Sequence, residues 1–118
     1  NRKYGMSMIF ISHDLAVIRQ ICDRVLVMYA GRIAEEGPVE EILQNPAHEY
    51  TKGLMRSIPR FDSKGADLPA IPGHVPSTEE HRDPCPFAPR CPKAMEICRR
   101  EVPPRIRVSE GHFIYCHE

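Results

Sequence analysis

Five cysteines stand in this 118-residue chain, and four of them, Cys85, Cys91, Cys98 and Cys116, fall in its second half with the spacing C-x5-C-x6-C-x17-C. None belongs to a C-x2-C pair, so spacing alone is a moderate metal signal. Composition strengthens it. Ten of the twelve prolines lie from Pro59 onward. The cysteines therefore punctuate a segment of turns and extended chain with few apolar residues and no obvious core. Such a segment calls for a staple. Its thiols can ligate zinc or an iron–sulfur cluster, or they can pair as two disulfides. Disulfides would suit an exported protein, and no feature here points to export. Arg90, Lys93, Arg99 and Arg100 stand nearby and would offset the charge of four thiolates. His112 and His117 flank Cys116; either can ligate zinc, though four cysteines already suffice, and both read first as exposed loop residues. The fifth cysteine, Cys22, reads as a small residue on the apolar face of a helix.

A second candidate lies in "FISHDLAVI", residues 10–18. An apolar run ends in Ser12-His13-Asp14, and a helical pattern begins at once. A histidine leaving the carboxyl end of a buried parallel strand and preceding a helix N-terminus stands where open α/β sheets bind ligands, and where anions find oriented N–H groups. A neutral imidazole there can donate to a phosphate oxygen. The residues alone leave a second reading open, an exposed loop histidine beside a capping serine.

These residues need elements to hold them. Met6–Ile11 (MSMIFI) has strand length and lacks clean alternation, as expected of a strand covered on both faces. Ser12 or Asp14 can cap a helix over residues 14–22, with Leu15, Ile18, Ile21 and Cys22 as its buried stripe. Val25–Tyr29 (VLVMY) reads as a second buried strand, so the pattern predicts a parallel βαβ unit with a right-handed crossover. Ala30-Gly31 turns the chain into a third strand over residues 32–35. Gly37-Pro38 opens a helix to about Gln44, which Asn45-Pro46 stops. A further helix over residues 48–58 puts Tyr50, Leu54 and Ile58 on one stripe. Residues 59–83 read as a linker-like loop around "LPAIPGHVP". Residues 93–100 can form one short helix, and "VSEGHFIYC" a short strand or a turn. The expected class is α/β.

Composition excludes some functions. Lysine and arginine total 16, as do aspartate and glutamate, for a net charge of zero. A nucleic-acid binder would show a basic excess, so no nucleic-acid partner is expected. No apolar run approaches membrane-spanning length, and no signal peptide is legible at "NRKYG". The absence of an initiator Met points to a fragment.

Residues 1–45, carried by "MIFISHDLAVIRQICDRVLVMYAGRIAEEGPVEEIL", closely resemble the end of the nucleotide-binding domain of ABC transporters. The resemblance implies a P-loop NTPase-type fold, with His13 as the switch-loop histidine that contacts the γ-phosphate of ATP and communicates with an opposing subunit. Ser12 and Asp14 would shape that loop. Residues 46–118, carried by "NPAHEYTKGLMRSIP", "LPAIPGHVPS" and "CPFAPRCPKAMEICRREVPPRIRVSEGHFIYCHE", resemble the C-terminal extension of ATP-binding subunits from oligopeptide and dipeptide importers. In some members of that family four cysteines ligate a [4Fe–4S] cluster. The resemblance carries this role to Cys85, Cys91, Cys98 and Cys116, with zinc as the alternative. Two positions depart from the pattern. Glu49 replaces the Pro of a His-Pro-Tyr-Thr run, and the Gly that commonly precedes the first cysteine is missing.

The implied domains are therefore residues 1–45, a nucleotide-binding segment, and residues 46–118, a loop-rich four-cysteine domain. The implied parent is a transport ATPase that uses ATP and Mg²⁺ to energise peptide import. It would lie on the cytoplasmic face of the cell membrane, with a second ATP-binding subunit and permease subunits as partners and a peptide-binding protein as an indirect one. No G-x-x-x-x-G-K-[ST] stretch is present. The phosphate-cradling loop and its lysine are thus missing, and the 118 residues alone are expected not to hydrolyse ATP. Strands whose sheet partners are missing invite pairing with another chain, so self-association is expected. The competing reading is a stand-alone four-cysteine metal-binding or redox module.

Overall fold

The computed structural model describes residues 3–58, 70–75 and 83–118. Its first helix, α1, spans Leu15–Ile21. Asp14 caps it as the sequence predicts: its Oδ1 accepts from the backbone N–H of Ala16 at 2.9 Å and of Val17 at 3.2 Å. Strand β1 spans Arg24–Tyr29 and β2 spans Arg32–Pro38. They pair antiparallel, joined by Ala30 and Gly31, both at positive φ (45° and 77°). Two successive left-handed residues match the right-handed twist of the flanking strands, which is why Ala-Gly suffices for a tight hairpin. Helix α2 spans Val39–Gln44 and α3 spans Glu49–Arg56.

The second half builds its own hairpin. Strand β3 spans Arg105–Ser109 and β4 spans His112–Tyr115. The sheet runs β1-β2-β4-β3, antiparallel in every pairing. Strand β4 joins β2 through Glu35 opposite Ile114 and Glu36 opposite Phe113. A strand from the cysteine segment thus completes the sheet begun in the first forty residues. Gly37 permits the approach: a Cβ there would lie 3.3 Å from the His112 Cα and 3.2 Å from the Ile42 Cδ1.

This differs from the predicted parallel βαβ unit. Residues 6–11 form no strand and lie exposed; Ile9 is 94% and Ile11 92% exposed. A parallel strand needs a hydrogen-bonding neighbour and cover on both faces. Among the described residues this segment has neither, because β1 takes β2 as its partner and keeps an open outer edge. Strand β1 is itself one-sided. Val27 and Tyr29 are buried, while Leu26 and Met28 on the other face are more than half exposed.

The predicted poor core of the second half also needs correction. Tyr29, Cys85, Phe87, Ala88 and Cys98 form one buried cluster, with Tyr50, Ile71 and Cys91 packed against it. Tyr29, Tyr50 and Phe87 meet edge to face or tilted, at centroid distances of 4.7 to 5.5 Å. The favoured aromatic geometry and the apolar area they bury fasten the cysteine segment to β1 and α3. Ala88–Arg90 and Glu96–Arg99 are single 3₁₀ turns. The second stands in place of the predicted helix over residues 93–100. Most of the predicted loop over residues 59–83 lies outside the described residues. Among the described residues, no helix is long and apolar enough to cross a membrane.

Candidate functional site

Four chain segments deliver the four thiols. Cys85 precedes the first 3₁₀ turn, Cys91 follows it, Cys98 lies inside the second, and Cys116 comes one residue after β4. The backbone ties two of them directly, since the N–H of Cys85 donates to the carbonyl of Cys98 at 3.1 Å. All four line one cavity of about 260 Å³, walled by the start of α3, Phe87, Met95 and the C-terminal residues. Cys85 and Cys98 are buried, and Cys91 and Cys116 are half-buried. The four are free thiols. As they stand they line the space without closing on a single point: among the described residues, no group of three or more His, Cys, Asp or Glu side chains is set to hold a metal ion.

Each sulfur meets at least one backbone N–H donor. The Cys98 Sγ accepts from the Met95 N–H at 3.5 Å, and the Cys116 Sγ from the Glu118 N–H at 3.5 Å. Backbone N–H groups of Phe87 and Ala88 serve Cys85, and that of Lys93 serves Cys91. Each donor stabilises a thiolate over a thiol. As free thiols, Cys85 and Cys91 are pushed up from their ordinary value. Burial is the main cause, the backbone donors oppose it, and neighbouring cysteines add to it. A bound cation would reverse that balance, because its charge favours the deprotonated sulfur.

The expected role of the nearby cations is different in the structure. The Arg90 guanidinium donates to the carbonyls of Pro72 at 2.7 Å and Ile71 at 2.8 Å, and to the Tyr29 hydroxyl at 3.1 Å. It clasps chain to core. Arg99 pairs with Asp83, and Arg100 with Glu96. Only Lys93 among the four lines the thiol cavity.

His112 overturns the loop reading outright, for it is 0% exposed. In β4 the inward phase takes His112 and Ile114. The His112 Nε2 lies 2.7 Å from the Glu35 Oε1, and Glu35 is also fully buried. A carboxylate only accepts, so Nε2 carries the hydrogen. Glu35 accepts two more bonds, from the N–H of Ala47 at 2.7 Å and of His48 at 3.1 Å. The His48 Nδ1 then caps α3 by accepting from the Tyr50 N–H at 3.1 Å. Burial lowers the His48 pKa, Glu35 and Glu49 oppose that shift, and Lys52 adds to it. Glu35 thus joins β2, β4 and the entry to α3. Its legible signal is phase: it shares the inward side of β2 with Gly37. What it meets there is set by a strand almost eighty residues away.

His13 sits exposed at the turn before α1. The Ser12 Oγ accepts from the Asp14 N–H at 3.0 Å, so Ser12 shapes the turn. Neither residue lines the thiol cavity. Cys22, half-buried, is the C-cap of α1. His117 is half-buried rather than exposed, with Nε2 3.1 Å from the Glu101 carbonyl oxygen.

The first hairpin and the four-thiol lobe share one antiparallel sheet. Residues 34–98, more than half the chain, match the family described as oligopeptide/dipeptide transporter, C-terminal region. The chain belongs to that family. It is similar to the oligopeptide transport ATP-binding protein of Salmonella typhimurium, 45% identical across 98% of this chain and 34% of that protein. It is 46% identical to the dipeptide transport ATP-binding protein of Bacillus subtilis, again over 98% of this chain and 34% of the relative. A Brucella ovis protein, provisionally named as a peptide import ATP-binding protein, is 48% identical over 95% of this chain and 35% of its own length. The chain thus spans about a third of the length of the curated relatives it matches.

Proposed function

We propose that this chain is the C-terminal part of an ATP-binding subunit that energises peptide import by an ABC transporter. The observation that carries this reading is its similarity, end to end, to two such peptide-transport subunits. In the whole subunit His13, exposed at the mouth of α1, would face the γ-phosphate of ATP, with Ser12 and Asp14 holding the turn. Mg²⁺ would accompany the nucleotide. A second ATP-binding subunit and membrane-spanning permease subunits would complete the machine at the cytoplasmic face, and a peptide-binding protein would deliver substrate. Residues 1–45 serve the nucleotide end and residues 46–118 the docking and thiol end.

Cys85, Cys91, Cys98 and Cys116 would hold a [4Fe–4S] cluster. Two features support this: one cavity shared by four sulfurs, and backbone N–H donors on each of them. Hydrogen bonds to sulfur stabilise cluster ligands and tune their potential. When bound, the cluster would cross-link four chain segments and could carry one electron. The donor set is all sulfur, which also suits zinc. Anaerobic purification of the chain followed by iron, sulfide and zinc analysis separates the two. Brown protein with about four irons and four sulfides per chain is the expected result. Colourless protein with one zinc would replace the cluster with a structural metal, and metal-free protein would remove the centre altogether.

A further inference from the structure

Beyond β4, Cys116 still continues the hairpin, its N–H donating to the Pro104 carbonyl at 3.3 Å, and beyond it His117 and Glu118 run on along the thiol cavity. Their side-chain ties are few. The Glu118 Oε1 meets the Lys93 Nζ at 2.7 Å, and His117 meets the Glu101 carbonyl. Lys93 also lies 3.6 Å from the Glu49 Oε1, which in turn pairs with Lys52 at 2.7 Å. Glu49 is largely enclosed, its side chain only 10% exposed. Lys93 therefore stands two residues after one cavity thiol and binds two carboxylates, one at the start of α3 and one two residues after another cavity thiol.

We propose that residues 117 and 118 form a strap over the thiol cavity, latched by Lys93 between Glu118 and Glu49, and that this latch controls how readily small reagents reach Cys116 and Cys91. Cys116 is the cavity thiol next to the strap, and its sulfur accepts from the Glu118 N–H. When the latch opens, that sulfur is uncovered while Cys85 and Cys98 stay packed in the aromatic cluster. Metal loading, chelator attack and oxidation would all pass through this opening. The proposal rests on the reading of the cavity as the chain's thiol centre, but its test needs no bound metal.

The test is alkylation of the reduced, metal-free chain by iodoacetamide, a neutral reagent that new surface charges neither attract nor repel. Mass spectrometry reads each cysteine separately, with Cys22 as internal reference. Glu118→Gln removes one ion pair. Lys93→Met removes two. Loss of an exposed pair shifts such an opening by about two- to fivefold. Cys116 alkylation relative to Cys22 is expected to rise by that factor in Glu118→Gln and further in Lys93→Met. Lys93→Arg, which keeps a cation between both carboxylates, should stay near wild type, and Cys85 and Cys98 should stay slow throughout. Unchanged Cys116 rates in both Glu118→Gln and Lys93→Met would overturn the latch. So would failure of Lys93→Arg to keep protection, or acceleration of all four thiols together, which marks loss of fold rather than opening of a strap. A protein that contains no iron yet shows the expected pattern would sink the cluster and leave the strap standing.

Discussion

Replacing Glu35 by alanine removes the acceptor at which β2, β4 and the entry to α3 meet. The carboxylate is fully buried and takes three bonds: the Ala47 N–H at 2.7 Å, the His48 N–H at 3.1 Å and the His112 Nε2 at 2.7 Å. Alanine leaves the His48 N–H and the imidazole buried with no acceptor, and the Ala47 N–H half-buried. Each buried orphan costs about 1–3 kcal/mol. With two fully buried orphans, Glu35→Ala should lower stability by about 2–6 kcal/mol, a large share of what a domain of this size possesses. Glu35→Gln keeps one acceptor oxygen but turns an amide NH₂ toward a donor, so about 2 kcal/mol is expected. Urea unfolding followed by circular dichroism reads both, provided the slope with denaturant stays constant. A double-mutant cycle with His112→Ala should give a coupling above about 1 kcal/mol, since the two side chains touch. If Glu35→Ala fell within about 0.5 kcal/mol of wild type, as a surface change would, the reasoning that Glu35 welds the two hairpins would be refuted.

His48 makes stability depend on pH. Its folded pKa is lowered, chiefly by burial, so in mild acid the unfolded chain binds more protons than the folded one. Its contribution is complete above the unfolded value of about 6.5 and drains away as pH falls below it, by at most about 1.4 kcal/mol per pH unit. His48→Asn keeps a capping acceptor without the titration, so its melting temperature should fall less between pH 7 and pH 5. An equal fall in both proteins would exclude His48 as the cause. Among the described residues the outer edge of β1 has no partner strand, and β1 carries exposed Leu26 and Met28. Edge pairing between copies should make the chain sediment as a dimer or larger, and Leu26→Lys with Met28→Lys should return it to monomer. A wild-type monomer at all concentrations would disprove this.

The elements differ in how much of them the sequence discloses. Asp14 as cap, Ala30-Gly31 as turn, and helices stopped by Asn45-Pro46 are legible because each depends on a few neighbouring residues. The four cysteines are legible by type. Their meeting on one cavity comes from packing of Phe87 and Ala88 against Tyr29, which no local pattern encodes. Residues 6–11 mislead for the converse reason: an apolar run has strand chemistry, but a strand exists only where another lends its hydrogen bonds. His112 misleads because "EGHFIY" reads equally as a short strand or a turn, and only the pairing of β4 with β2 turns its imidazole onto Glu35.

By itself, then, the sequence determines which groups are available: four sulfurs, a histidine between two turn-forming residues, and the caps and turns that bound short helices and a hairpin. Only the tertiary structure decides which of them meet. It joins the last strand to the first hairpin, buries Glu35 against His112, and folds the thiol-bearing tail over its cavity. The physical reason is separation along the chain. Caps and tight turns are settled within a few bonds, whereas a buried carboxylate or a shared cavity is settled by surfaces that come together only when distant segments exclude water between them.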